Sequence, residues 1–142
     1  MVARKTIVAA VSGFFLTMSI AFAQTAEYNT YAKYIKNGSE QMKAGDYRAA
    51  RDSFEQALRY NDSAFDGHLG LGIAFFQLHD DKYAERELTR AVEISPKEPT
   101  AYQFLGELYY RKDDLETAAS YWEKALALNP SATNIRARLE AG

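Results

Sequence analysis

The chain has no cysteine among its 142 residues. Disulfides, thiol nucleophiles and cysteine-ligated zinc are thereby excluded, although the absence identifies no compartment. Histidine is confined to His68 and His79. No sign of charge dominates: the formal net charge is −2, without a stripe of Lys and Arg. Neutralising phosphates needs clustered cations, so no nucleic-acid partner is expected. A glycine-rich phosphate loop, a G-x-S-x-G elbow and an H-E-x-x-H pair are missing too. Asp80-Asp81 and Asp113-Asp114 read as helix caps, because calcium takes about six to eight oxygens from a shaped loop. Nothing converges into a catalytic constellation. The expectation is a non-enzyme with no catalytic residue, no cofactor and no metal site.

Long hydrophobic runs are absent except at the N-terminus. There "MVARK" carries two cations, "TIVAAVSGFFLTMSI" is apolar, and "AFAQ" places Ala21 and Ala23 around Phe22. Basic start, short apolar run and small-x-small site are the order of an export signal. Residues 1–23 are therefore expected to be a signal peptide, cleaved after Ala23. The mature chain would be exported, to the periplasm or as a secreted protein, with no membrane span left. Uncleaved, the uncharged stretch 6–23 would be a short anchor, weakened by Ser12, Gly13, Thr17 and Ser19. No cysteine follows it, so a lipid-anchored lipoprotein is excluded.

What the rest of the chain has is repetition. "FEQALRYND", "LTRAVEISP" and "WEKALALNP" recur so that Ala57, Ala91 and Ala125 stand 34 residues apart. Three units follow: 31–64, 65–98 and 99–132. Each has an aromatic or His early (Tyr34, His68, Tyr102) and a glycine one turn later (Gly38, Gly72, Gly106). Each then has alanine at Ala50, Ala84 or Ala118 and a large apolar residue at Phe54, Leu88 or Trp122. The three- and four-residue spacing is helical, so each unit reads as two helices and a short turn. A mid-helix glycine costs about 1 kcal/mol against alanine, so three in register imply close helix approach. Gly45-Asp46, His79-Asp80 and Asp113-Asp114 mark the turns. Pro96 and Pro130 stop the second helices of the later units; Asp62 promises a softer stop in the first. Ile135 and Leu139 predict a short cap, 133–142, and residues 24–30 a flexible leader.

This pattern resembles the tetratricopeptide repeat (TPR) family, on "AYQFLGELYYRKDDLETAASYWEKALALNP" above all. The first unit departs from it at Asn37, Gln41 and Asp62. The resemblance implies an all-α fold, an α-solenoid of three repeats with a C-terminal capping helix. It also implies a concave groove lined by the first helices. Residues expected there include Ile35 and Met42; Leu69, Ile73 and Phe76; and Phe104, Glu107, Tyr110 and Arg111. The family's clamp for C-terminal carboxylates is absent, since Ile35, Ser39 and Gly70 stand in its places. A peptide with apolar anchors suits the stripe better. The expected role is a scaffold or adaptor in the cell envelope, binding a protein or peptide partner. The alternatives are a self-assembling structural module, which would be a homo-oligomer, and a membrane-anchored accessory subunit of an envelope complex.

Overall fold

The protein is described by a computed structural model covering residues 2–141, with side chains from Leu16 onward. Its helices are α1 (Val2–Lys43), α2 (Tyr47–Tyr60), α3 (Phe65–Gln77), α4 (Asp81–Ile94), α5 (Pro99–Arg111), α6 (Leu115–Leu128) and α7 (Thr133–Ala141). Among the described residues there is no strand. The C-terminal part of α1 pairs with α2, α3 with α4, and α5 with α6; the pairs stack and α7 closes the end. The architecture is an all-α solenoid.

Local chemistry accounts for the breaks. Gly45, His79 and Asp113 take left-handed backbone conformations, φ 76°, 61° and 62°, and end the first helix of each pair. Asp46 and Asp114 then cap the second helices, accepting from the Ala49 and Thr117 amides at 3.1 Å. Asp80 makes no such side-chain bond. The stop after the first unit is no softer than the others. The helix ends at Tyr60, in register with Ile94 and Leu128. Asn61 takes over the role of proline, its side chain accepting from the Ser63 amide at 3.2 Å.

Packing explains the glycines. A Cβ on Gly106 would lie 2.3 Å from the Trp122 indole, and one on Gly72 would lie 2.8 Å from Leu88. Ala50, Ala57, Ala84, Ala91, Ala118 and Ala125 are fully buried beside them. The joints between repeats differ in chemistry. At the α2–α3 joint the Phe54 ring sits between Gly38 and Gly70, and Leu58 lies over Gly67. At the α4–α5 joint polar ties are added to an apolar core in which fully buried Leu108 packs with Phe75 and Ala84. Arg111 pairs with Asp81 and donates to the Phe76 carbonyl at 3.0 Å. The Tyr109 hydroxyl donates to Glu85 at 2.5 Å, and Lys112 pairs with Glu85 at 3.0 Å.

The Glu85 bond pushes the Tyr109 phenol up to about 12, with burial adding to it. The same bond lowers the Glu85 carboxyl. A phenol raised in the folded state contributes fully below its ordinary value, near 10, and loses that contribution as pH rises through about 12. Tyr109→Phe is expected to cost about 1 kcal/mol at neutral pH, the low end for a charged hydrogen bond in a partly exposed pair. Urea midpoints of both proteins should converge as pH climbs past 10; a constant gap would remove the bond from the account.

At the N-terminus, the stretch 24–30 read as a flexible leader is helical and continuous with the first repeat helix. Met1 and the side chains before Leu16 lie outside the described residues, and most of the expected signal segment falls there. Within it, Leu16, Met18, Ile20 and Phe22 are exposed. Among the described residues no helix is long and apolar enough to cross a membrane. At the other end Ile135 is buried against α6, and Arg138 reaches back to Glu107 at 3.1 Å.

Candidate functional site

Four of the expected groove residues surround one cleft. Ile35 and Met42 on α1 face Leu69 and Ile73 on α3 across a cavity of about 490 Å³, with Ser39, Lys43, Asp66 and Gly70 completing the wall. Its floor is the Phe54 ring, which arrives from α2 because Gly70 has no side chain to bar it. The size is typical of small-ligand and peptide side-chain pockets. Ser39 donates to the Ile35 carbonyl at 2.8 Å, so its hydroxyl is already engaged. Carboxylate pairs or a nucleophile with a base are not found in this lining.

The remaining five expected residues lie further along and are engaged within the solenoid. Phe76 and Phe104 meet edge to face, 5.6 Å between ring centres. The Arg111 guanidinium lies 4.0 Å above Phe76 while pairing with Asp81, which makes it a staple between repeats. Glu107 is paired with Arg138. Tyr110 packs on Trp122 at 5.6 Å beneath Arg138, and is 47% exposed. At the third repeat Phe104 occupies the place that Gly70 holds in the second. The cleft between α1 and α3 is open for that reason: its ring comes from below, whereas Phe104 stands in the groove wall.

A second cavity, about 740 Å³, runs along α4 and is lined by charged residues with His68 and Tyr83. His68 is not a simple packing residue. Its Nδ1 meets Glu87 Oε2 at 2.7 Å and its Nε2 meets the Asp62 carbonyl at 2.9 Å. The imidazole thus bridges the Glu87 carboxyl on α4 and the backbone of the turn before α3. Glu87 is only 6% exposed and also holds Arg86 at 2.6 Å. His79 accepts from Arg111 at 3.2 Å in its left-handed turn. Among the described residues no cluster of His, Asp and Glu could hold a metal ion.

Two family profiles, each described as tetratricopeptide repeat, match residues 35–99 and 99–132. Photosystem I assembly protein Ycf3 from Synechococcus is 25% identical over 137 residues, covering 82% of this chain and 79% of its own length. Anaphase-promoting complex subunit 3 from Schizosaccharomyces pombe is 25% identical over 121 residues, 85% of this chain. The chain spans only 18% of that relative's length. Among solved structures, the type III secretion translocator chaperone SycD of Yersinia enterocolitica superposes with TM-score 0.76 at 21% identity. The match covers 80% of this chain and 91% of SycD. The first TPR of Spaghetti (RPAP3), bound to an HSP90 peptide, superposes with TM-score 0.76 at 21% identity, covering 80% and 90%. At such identity the likeness concerns the fold. Profiles, period and helix stacking agree, and the chain belongs to the tetratricopeptide repeat family.

Proposed function

We propose that this chain is a non-catalytic interaction module that holds a peptide segment of a protein partner in its concave groove, and that it does so after export, in the cell envelope. The observation that carries the first part is the apolar cleft between α1 and α3, with its engaged serine and its aromatic floor. Two structural neighbours lend support: SycD has been solved with a peptide of the translocator YopD, and RPAP3 with an HSP90 peptide. The second part rests on the order of residues 1–23. Leu69→Asp/Ile73→Asp should reduce partner binding at least about 100-fold, since each buried aliphatic side chain is worth roughly 1.5–3 kcal/mol. The variant should remain helical because both side chains face the cleft. A pull-down from envelope extract with the native chain beside the variant tests this; a partner retained by the variant would move the site. Multimers formed by the native chain alone, with no captured partner, would favour the self-assembling module. Mass spectrometry of the chain from that extract should find Gln24 at the N-terminus. An intact N-terminus would favour the membrane-anchored accessory subunit.

A further inference from the structure

The cleft has a charge at each end, and neither charge has an ion-pair partner in the solenoid. Lys43 closes the last turn of α1 and Asp66 opens the first turn of α3. Both line the cleft and both are exposed. The ion pairs among the described residues include neither of them. Each sits favourably with its own helix dipole, which explains its tolerance there but leaves its outer hydrogen-bonding sites to solvent. The two are far apart. Asp66 is near Tyr31, whose phenol is raised first by burial and then by that carboxylate. Gly67, next to Asp66, faces Ile35, and Lys43 stands two turns beyond Ile35 on α1, roughly 12 Å at a rise of about 1.5 Å per residue. Between them lie the apolar walls and the Phe54 floor. Elsewhere in the groove the charges are committed, Glu107 to Arg138 and Arg111 to Asp81. The free charge pattern of the groove is therefore a cation and an anion bracketing one apolar pocket.

We infer that the cleft selects an extended partner segment with aliphatic anchors at its centre, an acidic residue at the Lys43 end and a basic residue at the Asp66 end. The span of roughly 12 Å corresponds to about three or four extended residues. Unlike charges at both ends fix the register and direction of the segment, whereas the pocket supplies most of the affinity. This deepens the groove-binding reading and rests on it.

The test is selection of random phage-displayed peptides on the immobilised full chain, run beside Lys43→Glu, Asp66→Lys and Leu69→Asp/Ile73→Asp. The first two positions are exposed, so circular dichroism should stay unchanged. Native chain should recover peptides with one acid and one base flanking aliphatic residues. Lys43→Glu should recover peptides with two bases, and Asp66→Lys peptides with two acids. A synthetic peptide from the native pool should bind about five-fold more weakly when its acid becomes lysine, and Lys43→Glu should reverse that preference. Identical charge statistics in the native and single-variant pools would overturn the assignment. If the pool is nevertheless lost with Leu69→Asp/Ile73→Asp, only the charge pattern fails. If recovery is indifferent to that variant, or if nothing is recovered at all, the groove reading fails with it.

Discussion

Gly106→Leu is expected to lower the melting temperature by roughly 10 °C or more. The reason is steric, and it begins at the first added atom. A Cβ at this position would lie 2.3 Å from both Cδ1 and Nε1 of Trp122. Trp122 is 4% exposed and forms one cluster with Ala118, Ala125 and Ile135, so any shift of its ring disturbs the packing of the last repeat and its cap. Leucine is a better helix former than glycine by up to about 1 kcal/mol, which works in the variant's favour. Overpacking a close-packed site typically costs about 1–3 kcal/mol and more where the neighbour cannot move. The net loss, about 3 kcal/mol, is a large share of the stability of a domain this size. Thermal unfolding followed by far-ultraviolet circular dichroism reads it. An unchanged melting temperature would mean that the helices of the third repeat do not approach as closely as described.

The second large effect belongs to the buried pair on α3 and α4. His68→Leu should cost about 3 kcal/mol, because it strands the Glu87 carboxylate in a site that is only 6% exposed. Arg86 still reaches Glu87 Oε1, so the loss stays at the lower end for a broken buried pair. His68→Leu/Glu87→Leu should recover most of it, since an apolar pair of similar volume has no buried charge to satisfy. Urea unfolding of the two single variants and the double gives the coupling directly. A double variant no better than His68→Leu would show that shape, and not the stranded charge, sets the cost.

Much of the solenoid was legible because its signals are local and repeated. The 34-residue spacing of Ala57, Ala91 and Ala125 fixes the helix pairs, and the residues with left-handed backbone are the ones that the turn positions named. The groove was less legible. Helical spacing selects a face, and it placed Ile35, Met42, Leu69 and Ile73 together. It does not say which residues of that face are already engaged across repeats. Arg111 was read as a groove residue, but Asp81, 30 positions earlier, holds it. Gly70 was read only as a missing clamp residue; its consequence, a Phe54 floor, depends on a ring from another helix. His68 stood out only as the early position of the second unit, while the clue to its partner lay beside Leu88, where Glu87 stands one position from a core residue. The first-unit stop was misjudged because proline was the expected signal and an asparagine turn serves as well.

The two repeat joints respond to different solvent variables. The first is closed by Phe54 between two glycines, a contact that added salt does not screen and that weakens on cooling. The second adds Arg111–Asp81, Lys112–Glu85 and Tyr109–Glu85, all partly solvated, to the apolar packing of Leu108 on Phe75 and Ala84, and ionic strength acts on these pairs alone. Ionic strength thus has a handle on the second joint that it lacks on the first. Concentrated salt therefore weakens the ion pairs of the second joint and leaves untouched both its apolar packing and the Phe54 contact of the first.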